Sequence, residues 1–137
     1  MTLKKIMVVG VTGSGKTTFC QKLSEKINFP LYHLDRYFFT DNWQERPFTD
    51  FMHDLNDILH KDQWIIDGNS MHTFSHRLPF AETIIYFKFN RFVCFWGIVK
   101  RHFQRLVSKE KNFADRAENC PEKITWKLLK YTWLWYC

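Results

Sequence analysis

Residues 10–17 read Gly10-Val11-Thr12-Gly13-Ser14-Gly15-Lys16-Thr17, and this stretch decides the fold. It is a G-x-x-x-x-G-K-[ST] phosphate-binding loop in the setting that such a loop requires. Ile6-Met7-Val8-Val9 before it reads as a buried strand, and the chain from about Lys16 to Ile27 reads as a helix. Gly10, Gly13 and Gly15 let the backbone bend and turn its N–H groups toward phosphate oxygens. The helix N-terminus behind them adds a favourable dipole. The expected ligand is therefore ATP with Mg²⁺, held by Gly10, Thr12, Gly13, Ser14, Gly15, Lys16, Thr17 and Thr18. Lys16 is expected to reach the β- and γ-phosphates and to stabilise charge during transfer. The Thr17 hydroxyl is expected to ligate Mg²⁺.

Working outward, strands and helices alternate. The first strand runs from Lys5 to Val9. Asn28-Phe29-Pro30 ends the first helix, because proline disfavours helix in the residue before it. Leu31 to Leu34 is a short second strand that leads into Asp35, and residues 36–47 read as a polar and aromatic loop. Thr49 is expected to cap a helix reaching His60, with Phe51, Leu55, Ile58 and Leu59 on one face. Trp64-Ile65-Ile66 is a third strand ending at Asp67, and Thr83 to Phe89 a fourth. Arg91 to Leu106 follows as a helix, with Phe92, Phe95, Trp96, Val99, Phe103 and Leu106 at helical spacing. Pro121 opens a last helix. This order implies parallel pairing with right-handed crossovers, and functional groups at the carboxyl ends of the strands.

Two aspartates occupy such ends. An Asp directly after an apolar strand can hold Mg²⁺ or accept a proton from a hydroxyl. Asp67 follows the cleaner apolar run and is assigned to the metal beside Thr17. Asp35 is assigned to the acceptor substrate or its proton, although the two roles could be exchanged. Asn69 and Arg77 are further acceptor-binding candidates, Arg77 as a clamp for phosphate or carboxylate. Arg101 and Arg105, four residues apart, share a helix face and could neutralise the transferring phosphoryl group. His72 and His76 have the spacing of a helical metal pair, but no third ligand stands out, and they read as surface histidines.

Composition fits one small globular domain. The chain has 137 residues and is 45% hydrophobic, which excludes a disordered protein. Fourteen Phe, six Trp and five Tyr read as core and helix-packing surface. Cys20, Cys94, Cys120 and Cys137 form no C-x-x-C pair and read as reduced thiols, which points to the cytoplasm. No signal peptide is evident, and Lys88, Asn90 and Arg91 interrupt the apolar stretch from Thr83 to Val99, so no membrane span is expected. Nine of the basic residues lie between Lys100 and Lys130, against four acidic ones. That segment could be a solvated face or could cover a polyanion, either the nucleotide triphosphate or, more weakly, DNA.

Several blocks carry a family likeness. Gly10–Thr17, Tyr32-His33-Leu34-Asp35, Trp64-Ile65-Ile66-Asp67-Gly68-Asn69, Arg77-Leu78, Thr83-Ile84-Ile85 and Cys120-Pro121-Glu122-Lys123 resemble the DNA topology modulation proteins. These are small bacterial P-loop proteins similar to adenylate kinase and shikimate kinase. The resemblance spans nearly the whole chain. It implies an α/β, three-layer P-loop NTPase fold of the nucleotide or shikimate kinase type. The expected sheet is parallel with about four strands, and Arg101, Arg105 and the 107–120 segment would form a helical lid. Residues 1–137 would form one domain, with the lid at about 101–120. Members of that family continue with another strand and helix where this chain reaches Trp133-Leu134-Trp135-Tyr136-Cys137. The aromatic tail is expected to pack against something, and a second copy of the chain is one partner that would serve.

These residues point to a kinase that transfers the ATP γ-phosphoryl group to a small-molecule acceptor. The alternatives are a non-catalytic nucleotide-binding regulator and a DNA-interacting protein. A GTPase is excluded by the lack of an N-K-x-D guanine-reading motif.

Overall fold

The computed structural model describes residues 3–108 and 124–134. Strand β1 (Lys5–Gly10) leads through the phosphate loop into helix α1 (Lys16–Ile27). β2 (Leu31–His33) runs directly into a short helix α2 (Leu34–Phe38), and α3 spans Phe48–Leu59. β3 (Trp64–Asp67), a four-residue helix α4 (Phe74–Arg77), β4 (Thr83–Phe87), α5 (Arg91–Val107) and α6 (Trp126–Leu134) complete the order. The four strands form one sheet in the order β2-β3-β1-β4, and every pairing is parallel. The expected α/β fold with a parallel sheet is the one observed.

The inner strands β1 and β3 are buried on both faces, and β1 is apolar at every position from Ile6 to Val9, whereas edge strand β4 leaves Ile84 and Tyr86 exposed. Alternation sends Met7 and Val9 to one face, where they join Phe51, Leu55, Ile58 and Leu59 of α3 and Trp64 and Ile66 of β3. Ile6 and Val8 face the other way, with Ile65, and pack against Cys20 of α1 and its neighbours Phe19, Leu23 and Ile27. The face expected of α3 from its periodicity is the buried one.

Other expectations need correction. Residues 36–47 are not a plain loop: they include most of α2 and a 3-10 turn at Asp41–Trp43. Packing decides this, because Phe38 meets Phe51 edge-on at 5.2 Å, and Arg46 donates to the Tyr37 carbonyl and to Asp54, both at 2.8 Å. Thr49 does not cap α3. The helix starts at Phe48 with Pro47 at the cap position, two residues earlier, and the Pro47 carbonyl accepts from the N–H groups of Asp50 and Phe51. Helix α5 forms where the spacing predicts it. Of the aromatics read as core and helix-packing surface, Phe92 and Trp96 are each 67% exposed, while Cys94 and Ile98 are buried. Only small or slender side chains fit where α5 meets the phosphate loop. Phe92 instead packs edge-on against Trp133 of α6, whose ring also lies under Arg91. The start of the last helix at Pro121, most of the expected lid (109–120), Cys120 and Cys137 lie outside the described residues.

Cys20 and Cys94 are both buried. Burial pushes the Cys20 thiol up, reinforced by the Asp67 carboxylate and only partly countered by Lys16. Native protein treated with iodoacetamide at mildly alkaline pH is therefore expected to keep Cys20 unmodified. Peptide mapping that found Cys20 alkylated as fast as in denatured protein would contradict that placement.

Candidate active site

The carboxyl ends of β1, β2 and β3 converge on one cleft of about 1050 Å³. From the phosphate loop it is lined by Thr12, Gly13, Gly15, Lys16, Thr17 and Thr18, with Asp35 and Asp67 across from them. Gly10 and Ser14 lie behind this lining. The Ser14 hydroxyl donates to the Val11 carbonyl at 2.7 Å, stabilising the turn from inside.

Lys16 is buried, and its Nζ donates to the Val11 carbonyl at 2.8 Å, curled over its own loop. Burial lowers its pKa, and the nearby Asp67 and Asp35 carboxylates offset this only in part. A partly desolvated cation in a cleft is well suited to take up a phosphate.

Asp67 ends β3 with its side chain buried. Its Oδ2 accepts from Thr17 Oγ1 at 2.9 Å and from His33 Nδ1 at 3.0 Å. A carboxylate and a hydroxyl held together beside a phosphate loop form the donor set of a hard divalent cation, so these residues fit Mg²⁺. Asp35 is exposed in the first turn of α2, facing the cleft. Arg101 and Arg105 of α5 line the same cleft, as does Lys100. Arg101 is close enough to Lys16 to push its pKa further down.

Asn69 lines the cleft, as expected of an acceptor ligand, and is also tied to the phosphate loop, whereas Arg77 lies away from the cleft wall. Asn69 Oδ1 accepts from the Gly10 N–H at 2.9 Å, and its Nδ2 donates to the Gly10 carbonyl. It clamps the start of the phosphate loop to the end of β3, and it is also bonded to the Tyr131 hydroxyl of α6. Arg77 is 0% exposed and is absent from the cleft wall. It donates to the carbonyls of Gly68 at 3.3 Å and Ser70 at 3.0 Å, bracing the turn after β3. Burial brings its pKa down to about 10, which leaves it charged at neutral pH. His72 and His76 do not pair: His72 lines the cleft, whereas His76 Nε2 bonds Asn56 Oδ1 at 2.7 Å. Among the described residues, no three His, Cys, Asp or Glu side chains gather as a metal cluster.

Four contributors escape a reading of the sequence as motifs. Tyr131 stands alone in the chain, Phe38 and Phe39 of the cleft wall sit among many aromatics, and His33 appears only inside the Tyr32-His33-Leu34-Asp35 block, with no role of its own. Gly97 lies in mid-helix, where glycine is intrinsically unfavourable. Its role is close approach: a Cβ there would strike the Gly13 carbonyl, and a Cβ on Gly13 would strike the Cys94 carbonyl. Gly13 also has φ +82°, a conformation that side chains disfavour. The two backbones therefore touch directly. Replacing Gly97 by Ala gains about 1 kcal/mol of helix propensity but forces two backbones apart, at about 1–3 kcal/mol. Urea unfolding should show Gly97→Ala destabilised, with weakened nucleotide binding. A variant as stable as wild type, or more stable, would contradict the contact.

A parallel sheet, a phosphate loop at the end of its central strand and a carboxylate bonded to the loop's last threonine define a kinase-like P-loop NTPase. Comparison with protein families is consistent: the profile of an AAA domain matches residues 6–120, and the chain belongs to that family. Proteins of this class generally bind nucleotide with Mg²⁺. No curated protein matches the chain. Among the described residues, no helix is long and apolar enough to cross a membrane.

Proposed function

We propose that the protein is an ATP-dependent phosphotransferase that acts on a small, hydroxyl-bearing acceptor. The observation that carries this reading is the Thr17–Asp67 hydrogen bond beside Lys16, with Asp35 facing the same cleft. Lys16 and the loop amides stabilise charge on the transferring group. Thr17 and Asp67 would hold Mg²⁺, which when bound would neutralise negative charge on the phosphates. Asp35, exposed and on the acceptor side, orients the hydroxyl and accepts its proton. Arg101 and Arg105 line this compact cleft, which supports a role on the triphosphate. DNA is at most a weak ligand in this reading, lost near physiological salt. The likeness to DNA topology modulation proteins, the cytoplasmic location and self-association through the aromatic tail belong to the same proposal.

The test is a transfer assay with γ-labelled ATP against nucleosides, nucleotides and small hydroxylated metabolites. Label appearing on one acceptor class supports the kinase. ATP binding without transfer to any acceptor favours the nucleotide-binding regulator. Tight duplex binding that survives physiological salt and collapses in the Arg101→Ala, Arg105→Ala double variant favours the DNA reading.

A further inference from the structure

His33 is the last residue of β2, where parallel pairing sets it directly beside Asp67 of β3. Both side chains are buried, 8% and 7% exposed, and His33 Nδ1 lies 3.0 Å from Asp67 Oδ2. An ionised carboxylate only accepts, so Nδ1 carries the proton and donates it. The same Oδ2 takes the Thr17 hydroxyl at 2.9 Å. The two donors have different origins. Thr17 belongs to the phosphate loop and α1, which must accommodate the nucleotide. His33 belongs to the sheet, and its place beside Asp67 is fixed by strand register.

We infer that His33 is a positioning residue: it holds Asp67 in its metal-facing rotamer before nucleotide arrives. This rests on the proposal that Asp67 and Thr17 address Mg²⁺. Partners that orient a metal-binding carboxylate typically carry 10- to 100-fold in metal affinity. A histidine that merely fills space would have no such specific effect.

Calorimetry of ATP binding with Mg²⁺ and with EDTA separates the two roles. Wild type should bind ATP more tightly with Mg²⁺. In His33→Leu that Mg²⁺ enhancement should fall about tenfold or more, with metal-free affinity unchanged. His33→Asn, whose amide can take the place of Nδ1, should restore most of it. His33→Gln carries its amide one methylene further and should not, a contrast that stands even if His33→Leu fails to fold. If His33→Leu or His33→Gln keeps the full Mg²⁺ enhancement, the inference fails while the metal reading survives. A parallel loss of both affinities, or an equal loss in His33→Asn and His33→Gln, would assign His33 to the fold instead. If wild type itself shows no Mg²⁺ enhancement, the metal reading falls and takes the inference with it.

Discussion

Replacing Lys16 by Ala is expected to lower ATP turnover by about 10²- to 10³-fold, or about 2.7–4 kcal/mol, the cost of removing one preorganised donor to developing charge. The same substitution should leave the unliganded protein folded. Lys16 is buried with one hydrogen bond to its own loop, and burial depresses its pKa despite the nearby carboxylates. The sign follows from linkage. A lysine whose folded pKa lies below its unfolded value costs stability while it is charged. That cost is fully present below the folded pKa and fades as pH rises through the interval up to the unfolded value. Wild type without nucleotide should thus gain stability relative to Lys16→Ala as pH climbs into the alkaline range. Bound triphosphate is expected to reverse the balance by supplying further counter-charge. Calorimetry with ATP and urea unfolding across pH check both halves, and equal ATP affinity in the two proteins would refute the role.

Substituting Asp35 by Asn is expected to lower kcat for the acceptor by about 10²- to 10⁴-fold, the range for a positioned general base. Its effect on ATP affinity should be small, because Asp35 stands on α2 and is exposed. Asp67→Asn should differ in kind. That side chain is buried and bonded to Thr17 and His33, so its loss should mainly raise the Mg²⁺ concentration needed for half-maximal rate. Steady-state kinetics at several Mg²⁺ concentrations separate kcat from metal dependence. Exchanged signatures would exchange the assignments, and wild-type behaviour in both variants would remove both residues from the chemistry.

The parts of this site that were legible in sequence are the parts made by neighbours in the chain. The strand, loop and helix around Gly10–Thr17 form one continuous motif, so the nucleotide side could be read directly. The buried face of α3 was equally plain, since Phe51, Leu55, Ile58 and Leu59 repeat with the helical period. Asp67 was legible because it follows an apolar run at a strand end. What escaped depends on contacts between distant segments. His33 gains its meaning from the register that sets it beside Asp67. Arg77 looked like a clamp because an arginine in the loop between the third and fourth strands suits phosphate or carboxylate, yet the turn after β3 needed its guanidinium for two carbonyls. The aromatic spacing of α5 showed the helix but not which of its residues meet the phosphate loop. Contact with the phosphate loop fell to Gly97, Cys94 and Ile98, since backbone approach outweighed hydrophobic pattern there.

The double hydrogen bond from Asn69 to Gly10 joins groups 59 residues apart in sequence. The phosphate loop is therefore not a local turn that forms by itself. Its first residue is held by Asn69 at the end of β3 and by pairing with Phe87 of β4, and closing such long loops carries an entropy cost that local structure does not. Any ligand that recognises the clamped loop recognises the paired centre of the sheet. Nucleotide should accordingly act as a fastener for the whole domain, raising global stability by about 2.7 kcal/mol when present at a hundred times its dissociation constant. Hydrogen exchange would register this as slower opening of β1 and β3 together, far beyond the residues that the phosphates touch.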